Sequence, residues 1–320
     1  MVEDSACPKP CIVTLTVNPA IDGACETDKV RPIHKIRTTN ETFTPGGGGI
    51  NVTRVIHELG GEALAIYLAG GATGPVLNSL IDDLKLHRRT IAIADNTRIA
   101  QVVYERSSGL EFRFVPSGPQ VGESEWRACL DAIEETPCDY LVASGSLAPG
   151  MPEHFYTLVQ DIVARKGAKF VLDTSGDELR ASLRKGGVHL VKPSIGEFEG
   201  LIGRSLQTDA EQDEAIAEFA RRGVVDYLCV TLGRDGAIFA DKDGLLRLRS
   251  PEVESKSAVG AGDSFVGAMT YALAQGRRPR DAFAFGVAAG TAAVMRHGPY
   301  LCVREDVERL YAEISCGVAL

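Results

Sequence analysis

The run Cys11-Ile12-Val13-Thr14-Leu15-Thr16-Val17 is β-prone and largely apolar from end to end. A half-exposed strand alternates apolar and polar residues, whereas a continuous run indicates a strand that is covered on both faces, as in a parallel sheet. A turn is predicted directly after it, over 18–23, where proline, aspartate and glycine cluster. The sequence therefore predicts a buried strand of a parallel sheet near the N-terminus.

Helix-like and strand-like patterns alternate over the rest of the chain. Helices are predicted over 76–84, 123–135, 153–165, 177–184, 195–202, 210–222, 263–274, 280–295 and 303–313. Strands are predicted over 63–69, 140–143, 169–172, 189–191 and 227–231, followed by a hairpin over 237–240 and 244–248. Such alternation is typical of right-handed crossovers and of a parallel sheet with helices on both faces.

Two polar segments interrupt this pattern. Short strands over 24–30 and 35–43, and a hairpin over 98–106 and 110–115, have the texture of a half-exposed antiparallel sheet. We therefore predict an α/β, doubly wound core made of residues 1–23, 45–97 and 116–320. A small β appendage made of residues 24–44 and 98–115 is predicted to stand on it.

Composition narrows the class of protein. Hydrophobic residues make up 44% and charged residues 24% of 320 residues, as in globular proteins, and the net charge of -9 argues against a broad nucleic-acid surface. The eight cysteines include no Cys-x-x-Cys pair, and no metal-ligand spacing occurs. No segment has the apolar length of a signal peptide or a membrane span. We expect a cytoplasmic protein that binds neither nucleic acid nor membranes.

The stretch Ser257–Gly267 carries the chemistry. Gly260 and Gly262 allow a tight turn, and apolar residues then recur at helical spacing, so a helix is predicted to begin there. Its first amides lack intrahelical partners and favour a bound anion. Asp263 beside them could take a proton from a hydroxyl during phosphoryl transfer, although a favourable acid in a first turn fits the same residues.

A second glycine-rich turn precedes a helix at Gly46-Gly47-Gly48-Gly49-Ile50-Asn51. Small-residue turns also follow predicted strands at 144–146, 192–194 and 231–233, which is typical of a site for a phosphorylated or nucleotide ligand at the carboxyl edge of the sheet. Rival motifs fail. The chain has no Gly-x-x-x-x-Gly-Lys-[Ser/Thr] and no Gly-x-Ser-x-Gly around Ser146, and Phe265 stands where a dinucleotide fingerprint that begins with Gly260-x-Gly262 has its third glycine.

Four motifs, 18–22, 46–52, 144–147 and 259–264, together resemble the ribokinase-like sugar kinases of the PfkB family, and the likeness covers about 11–314. It implies a ribokinase-like core, a β lid that often mediates dimerisation, and Mg²⁺ with ATP as phosphoryl donor. Within the family the likeness is greatest to bacterial minor 6-phosphofructokinases. Kinases of tagatose 6-phosphate or fructose 1-phosphate usually have lysine where this chain has Gly48.

The implied activity is ATP-dependent phosphorylation of the 1-hydroxyl of fructose 6-phosphate to give fructose 1,6-bisphosphate, a step of glycolysis. Alternatives are a tagatose-6-phosphate kinase, a 1-phosphofructokinase, or a regulator that binds sugars or nucleotides without catalysis. The implied partners are a sugar phosphate, ATP and a second copy of the chain bound through the lid.

The resemblance also assigns residues by position. It makes Asp263 the general base, with the anion hole formed by Gly260, Ala261 and Gly262. The sugar phosphate would contact Asp22, Lys35, Gly47, Gly48, Asn51, Arg98 and Ser146. The nucleotide would contact Lys192, Ser194, Glu197, Thr231, Gly233, Gly236, Ser255, Val287 and Thr291. No side chain is expected to ligate a metal directly.

Several positions depart from the family pattern or fit a simpler role. Ser194 and Ala258 replace a usual asparagine and threonine. Arg296 and Pro299-Tyr300 differ from the family in a segment that often helps bind a monovalent cation, and potassium is implied by the resemblance of this segment alone. Asp22 also fits an Asx turn, and Lys35 and Arg98 also fit solvated strand charges. Val287 and Thr291 also fit a closely packed buried helix.

Overall fold

The computed structural model describes residues 11–296 and 300–317, so Cys7, the N-terminal segment and Pro299 lie outside the described residues. Its strands are β1 Ile12–Thr16, β2 Ala20–Thr27, β3 Thr39–Gly46, β4 Ala63–Gly70, β5 His87–Ile93, β6 Arg98–Glu105, β7 Leu110–Phe114, β8 Tyr140–Ser144, β9 Lys169–Asp173, β10 Val188–Val191, β11 Val225–Thr231, β12 Ala237–Asp241 and β13 Gly244–Leu248.

The helices alternate with or follow these strands along the chain. They are α1 Gly48–Glu58, α2 Gly74–Asp83, α3 Glu123–Glu135, α4 Phe155–Arg165, α5 Gly176–Lys185, α6 Ile195–Ile202, α7 Asp209–Ala220, α8 Ala261–Ala274, α9 Pro279–Val294 and α10 Arg304–Gly317. Among the described residues, no helix combines the length and the apolar character that a membrane span requires.

The large sheet confirms the predicted α/β core. In the described part of the chain its nine strands have the order β13-β12-β11-β10-β9-β8-β1-β4-β5. Neighbours from β11 to β5 are parallel, and β12 and β13 add an antiparallel edge. Every residue of β1 is buried, as its continuous apolar run predicts.

Helices cover both faces of the large sheet. One apolar cluster joins alternate strand residues such as Val13 and Leu15 to α3, α4, α5, α6 and α7. The other joins Ile12 and its neighbours to α1, α8, α9 and α10. Because residues along a strand alternate between faces, β1 contributes to both clusters, and the core is a doubly wound, three-layer arrangement.

A second sheet has four strands in the order β3-β2-β6-β7. The pairs β2–β3 and β6–β7 are antiparallel, but β2 and β6 are parallel, from Ala20 opposite Arg98 to Thr27 opposite Glu105. The prediction of an antiparallel sheet is therefore wrong for its central pair. The two segments come from distant parts of the chain, and sequence periodicity carries no information on their relative direction.

Two predicted boundaries are also wrong, and one strand is missing from the prediction. The turn over 18–23 is in fact the entry to β2, which begins at Ala20, so Asp22 lies in a strand. Strand β3 begins at Thr39, which leaves 35–38 outside the sheet. Strand β5 was not predicted at all, because its first three residues, His87, Arg88 and Arg89, interrupt the apolar pattern at this sheet edge.

Strand order changes direction at β1. The chain runs from β1 outward through β4 to β5, and then returns to place β8 on the other side of β1. In open α/β sheets, ligands bind beyond the carboxyl ends of the strands at such a switch point. The glycine turn at the start of α1 lies there, between the ends of β1 and β8.

Candidate active site

The first turn of α8 presents backbone amides and one carboxylate. Gly260 has φ 74° and its carbonyl accepts the amide of Ser264 at 2.8 Å, so the chain enters the helix through a left-handed residue. The amides at 261–263 precede the first intrahelical bond and carry the positive end of the helix dipole. An anion beside this turn would be stabilised without a cationic side chain.

Asp263 joins this turn to the other glycine turn. Its Oδ2 accepts a hydrogen bond of 2.9 Å from Nδ2 of Asn51 on α1, although 212 residues separate the two. Asn51 is buried, and Asp263 is partly exposed. The structure therefore brings together the predicted base and a predicted sugar-binding residue.

The start of α1 lies directly on the sheet. Gly47 has φ 105°, and a Cβ at Gly48 would overlap the Ser144 hydroxyl at the end of β8. The amide of Ile50 donates to Thr16 Oγ1 at the end of β1 at 2.8 Å. Close backbone packing against two strand ends thus fixes the glycine turn at the switch point.

Asp22 lies against this turn from the second sheet. A Cβ at Gly46 would overlap its carboxylate. Burial raises the pKa of Asp22 to about 6, while the nearby cations of Arg54 and Arg98 act in the opposite direction. The carboxylate is therefore desolvated but stays within the field of two guanidinium groups.

A buried ion pair borders Asp263 on its other side. Lys192, which follows β10, places Nζ 3.2 Å from Oδ1 of Asp173 at the end of β9, and the two side chains are 8% and 15% exposed. The pKa of Asp263 is raised to about 6: burial has the largest effect, Asp173 and Asp22 also raise the pKa, and Asn51 and Lys192 lower it. A carboxyl with this pKa is mostly ionised at neutral pH and can accept a proton.

Lys192 also faces the amide turn. A Cβ at Gly262 would lie 3.2 Å from Lys192 Nζ, so the ammonium group lies close to the backbone of this turn. Burial alone would lower the pKa of Lys192, but attraction to Asp173, Glu197 and Asp263 outweighs it and raises that pKa. Lys192 is therefore charged and directed toward the anion hole.

Arg98 is the first residue of β6 in the second sheet. Its guanidinium donates to the carbonyl oxygens of Asn18 at 2.7 Å and Pro116 at 2.9 Å. Asn18 Nδ2 in turn lies 3.5 Å from the hydroxyl of the exposed Ser146. Lys35 is exposed in the segment before β3 and does not join this group.

Ser194 and Glu197 contact each other at the start of α6. The Ser194 amide and hydroxyl donate to Oε2 of Glu197 at 2.7 Å and 2.9 Å, and the Glu197 amide donates back to Ser194 Oγ at 3.3 Å. This is a capping box. A serine at this position therefore has a local role besides any contact with a nucleotide.

The other predicted nucleotide contacts are spread over three parts of the fold. Thr231 ends β11, and the turn from Gly233 to Gly236 closes onto β13. Val287 and Thr291 are 3% and 5% exposed in the α8–α9 core, where Thr291 Oγ1 donates to Val287 O at 2.8 Å. Ser255 is exposed in the loop before α8. Their roles in nucleotide binding stay predictions.

No cluster of three or more His, Cys, Asp or Glu side chains with metal-binding geometry occurs among the described residues. The site nevertheless fits a cation that is bound to a polyphosphate, because the amide turn and Lys192 can donate hydrogen bonds to the phosphate oxygens. Mg²⁺ is usually held by such phosphates and by water and not by a complete set of protein ligands.

Sequence reasoning missed two charged residues of the site. Arg54, one turn after Asn51 on α1, donates from Nη1 to Asn51 Oδ1 and to Pro45 O, each at 2.9 Å. Asp173 is the partner of Lys192. Asp173 could have been found, because it ends a predicted strand at the carboxyl edge of the sheet, whereas Arg54 reads as an ordinary polar position of an amphipathic helix.

Comparison with known proteins gives a consistent result. The chain is 39% identical over 305 residues to the ATP-dependent 6-phosphofructokinase isozyme 2 of Escherichia coli, covering 95% of this chain and 99% of that one. The crystal structure of phosphofructokinase-2 from Escherichia coli in complex with potassium superposes with a TM-score of 0.92, at 39% identity and over 96% of this chain and 99% of that one.

A more distant structure supports the fold alone. Ribokinase of Arabidopsis thaliana, 20% identical, covers 94% of this chain and 98% of its own with a TM-score of 0.74, which confirms a ribokinase-like fold. The family model described as pfkB family carbohydrate kinase matches residues 16–306. The chain therefore belongs to the PfkB family of carbohydrate kinases.

Proposed function

We propose that this protein is an ATP-dependent 6-phosphofructokinase, which transfers the γ-phosphoryl group of ATP to the 1-hydroxyl of fructose 6-phosphate. One observation carries the proposal: the Asp263 carboxylate, with a pKa of about 6, lies at the amide turn of α8 and accepts a hydrogen bond from Asn51 of the glycine turn. The name of the Escherichia coli relative supports the choice of substrate and donor.

The chemistry uses few groups. The Asp263 carboxylate accepts the proton of the sugar hydroxyl, and the hydroxyl oxygen forms a bond to the γ-phosphorus while the bond from that phosphorus to the β–γ bridging oxygen breaks and ADP leaves. Asp22 and Asn51 hold neighbouring hydroxyls, since a carboxylate accepts hydrogen bonds and an amide both donates and accepts them. The amides at 260–262 stabilise the charge on the transferred group.

Lys192 and the amides at 260–262 are the groups that would face the phosphates of ATP. The Mg²⁺ ion that accompanies ATP would supply charge neutralisation on those oxygens. Potassium appears in the name of the Escherichia coli structure. We propose that this chain also binds potassium, in the segment around Arg296 that corresponds to the monovalent-cation segment of the family.

The acceptor can be assigned by measuring ADP release from Mg-ATP with a panel of sugars and sugar phosphates. We expect the highest kcat/KM with fructose 6-phosphate. Gly48 supports this choice, because the family's kinases of tagatose 6-phosphate and fructose 1-phosphate usually have lysine at this position, whereas here even a Cβ would overlap Ser144. Preference for tagatose 6-phosphate or fructose 1-phosphate would reject the choice of substrate, and no ADP with any acceptor would favour a regulator.

Arg98 is expected to bind the phosphate that the substrate already carries. Three of its five N–H groups have carbonyl partners among the described residues, which leaves two donors on a cation beside Asp22. Arg98→Met should raise KM for fructose 6-phosphate by about tenfold to a hundredfold and leave KM for ATP within about twofold, because a charge-assisted hydrogen bond is lost on the sugar side only.

Arg106→Met is the matched control for Arg98. Arg106 follows the same strand and pairs with Asp28 and Glu26 at the surface, 43% exposed. Both KM values should stay at the native level in that variant. Equal changes in the two KM values of Arg98→Met would place the arginine outside the sugar-phosphate subsite.

A homodimer through the second sheet is the assembly we propose. Its register puts Asp22 and Arg98 on one face and apolar side chains on the other. The exposed apolar set on that other face is Phe43, Ile99, Leu110 and Phe114. Four large apolar side chains on one face are typical of a protein interface.

The double variant Phe43→Ser/Phe114→Ser should therefore sediment as a monomer of 34.2 kDa, and the native protein as twice that mass. Val76→Ser, at an equally exposed apolar residue of α2, should not change the mass. A native protein that sediments as a monomer, or a double variant that stays dimeric, would count against the interface.

We propose the cytoplasm as the place of action. ATP and reduced thiols occur together there, and the cysteines in the described part of the chain are unpaired.

A further inference from the structure

We propose that Arg54 is a positioning residue of this site: its guanidinium fixes the orientation of the Asn51 amide and keeps the two carboxylates, Asp22 and Asp263, ionised. The inference rests on the kinase activity proposed above and deepens it. Arg54 is one residue that none of the sequence motifs singles out.

The hydrogen bonds of Arg54 determine which way the Asn51 amide points. Nη1 of Arg54 donates to Asn51 Oδ1 at 2.9 Å, and the same nitrogen donates to the Pro45 carbonyl at 2.9 Å, which anchors the guanidinium on the glycine turn. An arginine has no acceptor, so the atom of Asn51 that faces it must be the oxygen. The amide nitrogen is thereby turned toward Asp263, to which it donates at 2.9 Å.

The orientation has a consequence for the base. If the Asn51 amide turned over, its oxygen would face the Asp263 carboxylate, and two acceptors would oppose each other. The hydrogen bond from Asn51 favours the ionised form of Asp263 and lowers its pKa against the effect of burial. Arg54 therefore acts on the base through Asn51.

The charge of Arg54 has a second, direct effect. Its guanidinium is attracted to the carboxylates of Asp22 and Asp263. Arg98 is the other cation that acts on Asp22, so Arg54 supplies part of the positive charge that lowers the pKa of Asp22 against the effect of burial. Without Arg54, a larger fraction of Asp22 would be protonated at neutral pH, and a protonated carboxyl is a weaker acceptor for a sugar hydroxyl.

Other charged groups face Asp263 as well. They are Asp173 from β9, Lys192 after β10 and Asp22 from β2. Asp173 and Asp22 raise its pKa and Lys192 lowers it. Asp173 and Lys192 are unchanged in an Arg54 variant, and a larger protonated fraction of Asp22 would lower the pKa of Asp263, not raise it. A shift of the acid limb on changing Arg54 then reports the loss of Arg54 itself.

The test is the pH dependence of kcat/KM for the sugar phosphate that the native protein phosphorylates fastest. Activity requires ionised carboxylates, so it falls as the pH drops through about 6. Arg54→Met should move this acid limb to higher pH by about one unit and raise KM for the sugar phosphate about tenfold, with KM for ATP unchanged. Arg54→Lys, which keeps the charge, should recover most of the shift of the limb.

Arg89→Met is the matched control, because Arg89 is another partly buried arginine that donates to a carbonyl and a side chain, Ala132 O and Thr136 Oγ1, away from the site. Its acid limb should be native. If Arg54→Met lowers kcat/KM equally at every pH, or leaves it unchanged, the positioning role is wrong. If Arg54→Met has no cooperative urea transition, Arg54→Gln replaces it with the same expected shift of the limb.

A second readout does not need turnover. In protein labelled with ¹³C at the aspartate carboxyl carbons, the resonances of Asp22 and Asp263, assigned with Asp22→Asn and Asp263→Asn, should titrate at higher pH in Arg54→Met than in the native protein. Unchanged titrations would overturn the inference. A different preferred acceptor would overturn only the proposed substrate, because both readouts are independent of its identity.

Discussion

Asp263→Asn is expected to lower kcat by about a thousandfold while the protein binds fructose 6-phosphate with nearly native affinity. The asparagine has the same shape, and its Oδ1 can still accept the hydrogen bond of 2.9 Å from Asn51, so the site keeps its geometry. The amide cannot accept the proton of the sugar hydroxyl. Turnover and the dissociation constant, the latter by calorimetry, separate the two effects.

The same variant should be more stable than the native protein at pH 7. Folding raises the pKa of Asp263 from 3.8 to about 6, mainly through burial, so the fold loses stability as the pH rises between these values, and the full loss applies above about 6. A neutral asparagine removes this cost, and the free energy of unfolding in urea should rise by about 1 kcal/mol. A gain in stability together with a loss of turnover excludes misfolding as the reason for the loss.

Asp281→Asn is the matched control for Asp263→Asn. Asp281 also lies in the first turn of a helix, α9, where it pairs with Arg278 at 3.0 Å. Native turnover is expected for it. If Asp263→Asn keeps more than about a tenth of the native kcat, Asp263 is not the base, because general-base catalysis contributes at least a hundredfold in most enzymes.

The sequence predicted the core of the fold because its signal is local. The continuous apolar run before Val17 indicates a strand that is buried on both faces, and the alternation of helices and strands from 123 to 231 indicates a parallel sheet. The structure confirms both predictions. The parallel pairing of β2 with β6 was missed because it joins strands that are about 70 residues apart and depends on how the second sheet closes.

Strand β5 shows a different limit. Arg88 and Arg89 break the apolar pattern, yet each finds a partner at this edge of the sheet: Arg88 pairs with Asp82, and Arg89 donates to Thr136. Their stems lie along the sheet while the charged ends reach polar groups. A pattern of apolar residues cannot detect a strand that is stabilised in this way.

The candidate site could be predicted where a backbone turn marks it. Asp263 and Asn51 follow glycine turns, and the structure joins them. Asp173 and Arg54 act on these two residues from outside the turns, through charge and through one hydrogen bond. Which helix position faces the site depends on packing between α1, α8 and the sheet, and a single sequence does not encode that contact in any local motif.

Lys192→Met is expected to lower the free energy of unfolding at pH 8 by about 3 to 5 kcal/mol. Lys192 and Asp173 form a buried pair at 3.2 Å, and without the ammonium the carboxylate stays desolvated and close to Asp263. The variant can relieve this repulsion only by binding a proton. The difference from the native protein should therefore shrink as the pH falls toward 5, and urea unfolding at pH 5, 6, 7 and 8 measures it.

A surface pair provides the control for Lys192→Met. Lys185 contacts Asp161 at 2.6 Å with side chains that are 36% and 50% exposed, so Lys185→Met should cost no more than about 1 kcal/mol at any of these pH values. The double variant Lys192→Met/Asp173→Asn should regain most of the lost stability, because it removes the unpaired charge together with its partner. Equal losses in Lys192→Met and Lys185→Met, or a double variant as unstable as the single one, would mean that burial of the Asp173 charge is not what Lys192 compensates.

Lys192→Met should also lose turnover at pH 7, because the cation that faces the amide turn at Gly262 is gone and the pKa of Asp263 rises without it.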